Sequence, residues 1–469
     1  MTTRRFLKRS SAERMARFCA VSISALLAAA AVAAPAQADP VTPPVLPASI
    51  IPLPPELDPG FYNPPADIVA AAAPGEILKV RQVNVANFGL IPLNVDAWQV
   101  SYRSNNSRDE AIPAVATLIK PRGVSPTPRK LLSVQIAEDS TAGYCSPSYA
   151  LQQFSVSPFV GQIVAPAEFL FAQSALQQGW AVVIPDHEGP NSAYAAGPLA
   201  ARITLDGIRA ATDFAPLEVG HGAPIGMYGY SGGSIPTAHA AELRKTYAPE
   251  LNIVGAAAGG VGADLGAALE MANNQATAGL VLAAVLGLAR EYPDVEALLD
   301  QKLNPLGQLL KAVKTPLCVQ YQSDLFPFLN IKGLINSPDP TREPAIAAML
   351  EDTRLGKSLP DMPMFLWHSQ WDEILPLYST NQLVNTYCQD PKAQVQYTRD
   401  GASEHIIAEI TGGPAAILWL KDRLDGVPAQ SGCSITDSPS MLGTPGETQL
   451  LQSLVGETLA SFFGKPIGA

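Results

Sequence analysis

The stretch Ile225-Gly226-Met227-Tyr228-Gly229-Tyr230-Ser231-Gly232-Gly233-Ser234-Ile235-Pro236 decides how the whole chain is read. Residues 225–229 have the length and apolar character of a buried strand, and a helical pattern runs from 234 to 247. Gly229-Tyr230-Ser231-Gly232-Gly233 lies between them, so a G-x-S-x-G sequence falls at a strand-to-helix turn. Such a turn lifts the Ser231 hydroxyl clear of the sheet. Its small neighbours admit other backbone, and the helix N-terminus places the Gly232 amide where negative charge can be stabilised. The bare motif is also compatible with a purely structural turn.

Working outward, strands are predicted at 77–85, 97–102, 114–119, 130–136, 180–184, 225–229, 251–257, 363–368 and 395–398. Helices are predicted at 165–178, 199–214, 234–247 and 415–423. The alternation indicates an α/β protein with a mostly parallel sheet covered on both faces. It stops between residue 260 and about 352, where an all-round apolar helix at 276–289 and helices at 295–303 and 306–313 form an insert. At 14 residues the first is too short to span a bilayer. The insert either covers a binding site or merely completes the core.

A serine hydroxyl needs a base to act as a nucleophile at neutral pH. The chain has five histidines: His187, His221, His239, His368 and His405. In sheets with this turn the order is serine, acid, histidine, which leaves the last three. His239 falls within the helix after Ser231 and reads as a packing residue. His368 ends the strand expected to carry the acid. His405, in the turn after the last strand, is the candidate base, unless it is only a loop residue. For the acid, Trp371-Asp372-Glu373-Ile374-Leu375-Pro376 follows the strand at 363–368. Asp372 is preferred, with Glu373 as fallback and Asp400 third.

Composition narrows the classes of function. The 469 residues are 47% hydrophobic, enough for a large core. The 31 Lys and Arg against 42 Asp and Glu give a net charge of -11, which argues against nucleic acid as a partner. Residues 1–38 read as a signal peptide: six bases, an apolar run from 18 to 34, then Ala36-Gln37-Ala38. Without them 25 bases stand against 41 acids, a net -16. A Pro-rich arm is expected over 39–75, a main domain over 76–430, and a tail or flap over 431–469. Cys145, Cys318, Cys388 and Cys433 remain after leader removal, an even count that suits an oxidising compartment. Spacing does not fix their pairing. The expected bonds are Cys145–Cys318, tying a strand-end turn to the insert, and Cys388–Cys433, tying the late core to the tail. Gly259-Gly260-Val261-Gly262-Ala263-Asp264 lacks dinucleotide-loop spacing, and His187-Glu188 is not a metalloprotease motif.

Four motifs in order resemble the secretory lipases of the Candida type: Glu138-Asp139-Ser140-Thr141, Asp186-His187-Glu188-Gly189, Leu205-Asp206-Gly207-Ile208-Arg209-Ala210 and Tyr230-Ser231-Gly232-Gly233-Ser234. The resemblance covers about residues 75–425. It implies an α/β-hydrolase core, a helical lid and hydrolysis of lipid carboxylic esters, with Ser231, Asp372 and His405 as nucleophile, acid and base. It also implies an oxyanion hole at Gly232 and Asp139. An ionised Asp139 would repel an oxyanion, so it must offer its amide or be kept protonated; the alternative is a turn-capping aspartate. No metal or organic cofactor is required. The expected partner is an ester or lipid substrate with transient contact at a lipid interface, and the expected location is extracellular. An acyltransferase using the same residues, or a non-catalytic surface binding protein on the same fold, would carry much of this pattern.

Overall fold

The computed structural model describes residues 43–468; the expected leader lies outside the described residues. The strands are β1 (Val45–Leu46), β2 (Ile77–Gln82), β3 (Ala86–Asn87), β4 (Ile91–Pro92), β5 (Val95–Asn105), β6 (Ala111–Pro121), β7 (Leu131–Gln135), β8 (Ala181–Pro185), β9 (Ile225–Tyr230), β10 (Ile253–Gly259), β11 (Met364–Ser369), β12 (Gln394–Asp400) and β13 (Gly432–Ser438). β3 and β4 form a separate small ribbon. The other eleven make one sheet in the order β1-β2-β5-β6-β8-β7-β9-β10-β11-β12-β13. From β8 to β13 every neighbouring pair is parallel, whereas β2, β5, β6 and β8 pair antiparallel. The strand leading to Ser231 thus lies inside the parallel half, between β7 and β10. Its Ile225, Met227, Tyr228 and Tyr230 are all buried, because helices cover both faces.

Helices α1 (Val164–Gln177), α2 (Gly197–Asp213) and α3 (Ser234–Tyr247) follow β7, β8 and β9. α2 and α3 share one core with the sheet, through Ile203, Leu205, Ile208 and Ala238; α1 belongs to the core on the other face. The Leu205-Asp206-Gly207-Ile208-Arg209-Ala210 motif works inside this packing. Buried Asp206 accepts from Ser104 Oγ at 2.7 Å and Tyr247 Oη at 2.8 Å and pairs with Arg209 at 2.7 Å, fastening α2 to β5 and α3.

The insert between β10 and β11 holds α4 (Leu265–Ala272), α5 (Ala278–Glu291), α6 (Pro293–Lys302), α7 (Pro305–Lys314), α8 (Val319–Asp324) and α9 (Pro344–Asp352). α5, α6 and α7 match the expected helices. α4, α8 and α9 run only 8, 6 and 9 residues, too short for a helical period to stand out in sequence. The run at 259–264 is a strand exit and a helix cap: Asp264 Oδ1 accepts from Ala267 N at 3.0 Å.

After β11 come α10 (Leu377–Tyr387), α11 (His405–Leu424) and α12 (Glu447–Phe462). α11 starts ten residues before its sequence-based expectation. Gly412-Gly413-Pro414 reads as a breaker, yet Pro414 sits inside the helix. Gly412 is there because a Cβ would lie 2.3 Å from the Trp367 ring.

The expected tail is built into the body. β13 pairs in register with all of β12. Ser453 Oγ donates to Gln177 Oε1 at 2.9 Å and Thr458 Oγ1 to Gln173 Oε1 at 3.0 Å, seating α12 on α1. The Pro-rich arm is docked too, and it is partly helical at Pro59–Tyr62 and Ala66–Ala71. Phe61 and Tyr62 bury against Val115, and the Arg81 guanidinium lies 4.0 Å above the Phe61 ring. Two bonds, Cys145–Cys318 and Cys388–Cys433, close loops of 173 and 45 residues.

Candidate active site

Ser231 sits directly beyond β9 with a left-handed backbone, φ 49°. A non-glycine residue there is strained by about 1 kcal/mol or more, and tight packing holds it. A Cβ on Gly233 would lie 1.9 Å from Gln135 O, so only glycine lets the turn close against the end of β7. Ser234 Oγ donates to Ser231 O at 2.5 Å.

His405 opens α11. Glu404 caps that helix, its carboxylate accepting from Ile406 N at 2.7 Å and Ile407 N at 3.0 Å. The Tyr230 hydroxyl donates to His405 O at 2.5 Å, and the two rings lie 5.3 Å apart. Behind them Trp367 is fully buried among Tyr228, Tyr230 and Phe365, with centroid separations of 5.6–5.9 Å, and its Nε1 donates to Ala408 O at 3.1 Å. Each such aromatic pair contributes about 0.5–1.5 kcal/mol beyond its area. Together they fix the first turns of α11 against the strands.

The Ser231 Oγ is 2.7 Å from His405 Nε2, and His405 Nδ1 is 2.7 Å from Asp372 Oδ2. A carboxylate can only accept, so Nδ1 carries the hydrogen and Nε2 offers its lone pair to the serine hydroxyl. Asp372 Oδ1 accepts from Ile374 N at 2.9 Å and Leu375 N at 2.7 Å. Burial works to raise the Asp372 carboxyl, but the charge and hydrogen bond of His405, with smaller contributions from His368 and the Leu375 amide, hold it below its ordinary range. Burial likewise works to lower His405, and the Asp372 charge and hydrogen bond leave it raised.

The two other acids do different work. Glu373 Oε2 accepts from the His405 backbone amide at 3.2 Å. Asp400 Oδ2 accepts from Thr411 Oγ1 at 2.8 Å and Met441 N at 3.0 Å, joining β12 to α11 and the C-terminal segment. His239 packs in α3 with Nδ1 2.9 Å from Ile235 O.

Next to Gly232 lies Asp139, buried, with φ 45°. A Cβ on Gly232 would fall 1.7 Å from Asp139 Oδ1, so the carboxyl rests against the glycine. Among the described residues that oxygen has no hydrogen-bond partner. Burial pushes the Asp139 carboxyl up to about 6, against the pull of a Tyr194 hydrogen bond and the His187 and His405 charges. Behind it two sequence motifs interlock: His187 Nδ1 lies 2.8 Å from Glu138 Oε1, and Glu188 N donates to the same oxygen at 3.3 Å. Thr141 Oγ1 donates to Thr315 O at 3.0 Å, and Arg290 Nη1 to Thr141 O at 2.6 Å. With Cys145–Cys318, these bonds fasten the Asp139 loop to the insert.

Ser231 and Gly232 form part of the wall of a narrow cavity that runs under the insert, with Ile235, Leu269, Val281, Leu288 and Met349 among its other walls. Its volume is about 70 Å³, well below the roughly 300–1,000 Å³ of a pocket that encloses a whole ligand. A separate open cleft of about 760 Å³ lies between the N-terminal arm and the insert, lined by Glu56, Tyr144 and Arg290, and does not include Ser231. Sequence had not pointed to Tyr194 or to the Tyr230 hydroxyl. The first falls in an irregular loop with no motif. The second occupies the variable position of G-x-S-x-G.

The secretory lipase family model matches residues 156–432, which takes in Ser231, Asp372 and His405. Lipase A of Arthroderma benhamiae is 36% identical over 427 residues, 89% of this chain and 90% of the relative. The X-ray structure of Candida antarctica lipase A superposes with a TM-score of 0.78 at 32% identity, covering 89% of this chain and 99% of that one. A Mycobacterium tuberculosis protein described as a probable inactive lipase is 34% identical over 380 residues, 80% of this chain and 84% of that one. Overall likeness therefore extends to a relative described as inactive, and the arrangement around the serine is what bears on activity. The fold is that of an α/β-hydrolase, and the chain belongs to the secretory lipase family, the serine ester hydrolases its four motifs resemble.

Proposed function

We propose that Ser231, His405 and Asp372 are the nucleophile, base and orienting acid of a lipase that cleaves acylglycerol-type esters. The observation that carries this is the unbroken chain of contacts, 2.7 Å and 2.7 Å, from Asp372 through His405 to a serine at the wall of an apolar cavity. His405 Nε2 takes the Ser231 proton as Oγ bonds to the ester carbonyl carbon. The carbonyl oxygen becomes negative beside the Gly232 amide and the Asp139 carboxyl. Protonated, Asp139 donates a hydrogen bond to that oxygen; its pKa, raised by burial to about 6, enlarges the share of that form over an ordinary carboxyl. The imidazolium then protonates the departing alcohol oxygen, leaving an acyl-enzyme that water cleaves by the same steps reversed, releasing the fatty acid. Asp372 stabilises the imidazolium throughout and keeps its own proton off.

The cavity is too small as it stands for a long acyl chain, so in this reading helices of the insert part to admit one. Exposed Trp371 beside Asp372, and exposed Ile406, Ile407 and Ile410 on the first turns of α11, offer apolar surface around His405. Contact of that rim with a lipid surface would favour opening. Among the described residues no helix is long and apolar enough to cross a membrane. Export through the 1–38 leader completes the reading. Ser231→Ala should reduce p-nitrophenyl ester turnover by on the order of 10⁵–10⁶. It should also abolish labelling by an organophosphonate. A Ser231→Ala protein that still turns over ester would sink the assignment.

A further inference from the structure

Asp372 is approached by a second imidazole. His368 is the fifth residue of β11, fully buried, and its Nε2 lies 3.2 Å from Asp372 Oδ2, the oxygen that also receives His405 Nδ1. The same Nε2 is 3.0 Å from Leu375 O. On the other side of the ring, Val261 N donates to Nδ1 at 3.3 Å and Thr380 Oγ1 lies 3.1 Å from it. A backbone N–H facing Nδ1 requires a lone pair there, so the hydrogen sits on Nε2 and the ring is neutral. That hydrogen points at Leu375 O, with the Asp372 carboxylate beside its path.

These partners belong to three elements: the turn after β11, the root of the insert and α10. Leu375 ends the 372–375 turn, whose own amide holds Asp372 Oδ1. Val261 is the second residue of the insert, next to Gly260, where a Cβ would lie 3.1 Å from His405 Cε1. Thr380 lies in α10 and also donates to Val261 O at 3.3 Å. We propose that His368 is a positioning residue: it clamps the turn that carries Asp372 and ties that turn to the root of the insert, so that the carboxylate meets His405 in one fixed orientation. This rests on the triad reading above. An apolar residue of similar size would leave Leu375 O and Val261 N without the partner they have here, while the Asp372 carboxylate would lose a nearby dipole. Burial pushes the His368 imidazole down against the pull of the Asp372 charge, which keeps the ring uncharged. A charged ring would compete with His405 for the same oxygen.

The test compares His368→Leu with His368→Gln, whose amide nitrogen can take the place of Nε2, and adds the near-isosteric Thr380→Val. All are made in the full chain, with Ser231→Ala alongside. A soluble short-chain ester gives kcat and KM, and proton NMR gives the low-field resonance of the His405–Asp372 hydrogen bond. His368→Leu should lower kcat on the order of 10- to 100-fold, leave KM nearly unchanged and displace the resonance. His368→Gln should recover most of the rate and the resonance, and Thr380→Val should lower kcat only slightly. The proposal is overturned if His368→Leu keeps both kcat and the resonance, or if Gln does no better than Leu. Should the Leu variant fail to fold, Thr380→Val and His368→Gln decide: a resonance displaced in Thr380→Val and held in His368→Gln supports the clamp, and the reverse overturns it. An inactive Ser231→Ala with an unaffected His368→Leu would sink the clamp alone, whereas an active Ser231→Ala would sink the triad.

Discussion

Asp372 and Asp139 are the same residue type, both buried and both close enough to His405 to interact with its charge, yet their environments push them in opposite directions. Asp372 has two backbone amides on one oxygen and His405 on the other, and it is held ionised. Asp139 has an oxygen facing Gly232 with no partner among the described residues, and it is pushed up to about 6. Burial acts alike on both, so the donors turned toward each carboxyl decide the outcome. Two acids driven apart in this way are suited to opposite tasks, one holding a cation and the other donating to an anion. The sharpest way to break the pairing is Asp372→Asn. The amide cannot fix the reactive tautomer of His405, and kcat should fall by about 10⁴. A smaller loss there than from Asp139→Ala would reverse the roles.

Asp139→Ala should cost on the order of 10²–10³ in kcat, the usual consequence of removing one oxyanion donor. Asp139→Asn is more informative, because it keeps a donor at every pH. The wild-type carboxyl loses its proton as pH rises through about 6, and with it the ability to donate. The Asn variant should therefore retain its rate at alkaline pH where the wild type declines. Stability follows the same sign. A carboxyl raised in the folded state contributes stability at pH below about 4 that is lost as pH rises through about 6. For Asp139 this is about 3 kcal/mol. Denaturant titrations of wild type and Asp139→Asn at pH 4 and pH 8 should differ by roughly that much in their pH response. Equal responses would place the ionised form comfortably in the folded protein.

Much of this arrangement is legible in the sequence. Ser231 stands in a motif whose flanking strand and helix are both strongly patterned, and Asp372 and His405 follow strands in the order such a sheet requires. What was hidden depended on tertiary partners. β13 reads Gly-Cys-Ser-Ile-Thr-Asp-Ser and is exposed or half-buried throughout, so it has no apolar alternation to betray an edge strand. The start of α11 was masked by Gly412-Gly413-Pro414, tolerated because Trp367 and Phe171 press on those glycines. His368 was visible only as the end of a strand; its second link, to Val261, spans 107 residues.

The two sides also differ in how they answer to pH. His405 is raised, so the acid limb of kcat/KM, where the base becomes protonated and inactive, should have its midpoint above about 6.5. Asp372→Asn removes the charge that does the raising. The residual activity of that variant should show the limb moved toward lower pH, since burial and the positive end of α11 both disfavour the imidazolium. An unmoved limb would mean that Asp372 is not what holds the proton on His405.

The smallest effect separates the disulfides. Cys145–Cys318 joins the Asp139 loop to the insert, whereas Cys388–Cys433 joins the end of α10 to β13 on the acid's side of the sheet. Their loops of 173 and 45 residues differ by only about 1 kcal/mol in chain-entropy terms, so stability alone hardly distinguishes them. Activity should. Replacing Cys145 and Cys318 together by Ser frees one of several links that hold Asp139 against Gly232. The Thr141 and Arg290 bonds remain, so the loss in kcat should be a few-fold, far below that of Asp139→Ala. Replacing Cys388 and Cys433 should lower the melting temperature and leave kcat unchanged, because Asp372 is held by its own turn and not by the edge strand. If the second pair also lowered kcat, the acid side would depend on remote packing as the hole does, and the contrast between a self-contained acid and a braced oxyanion loop would be lost.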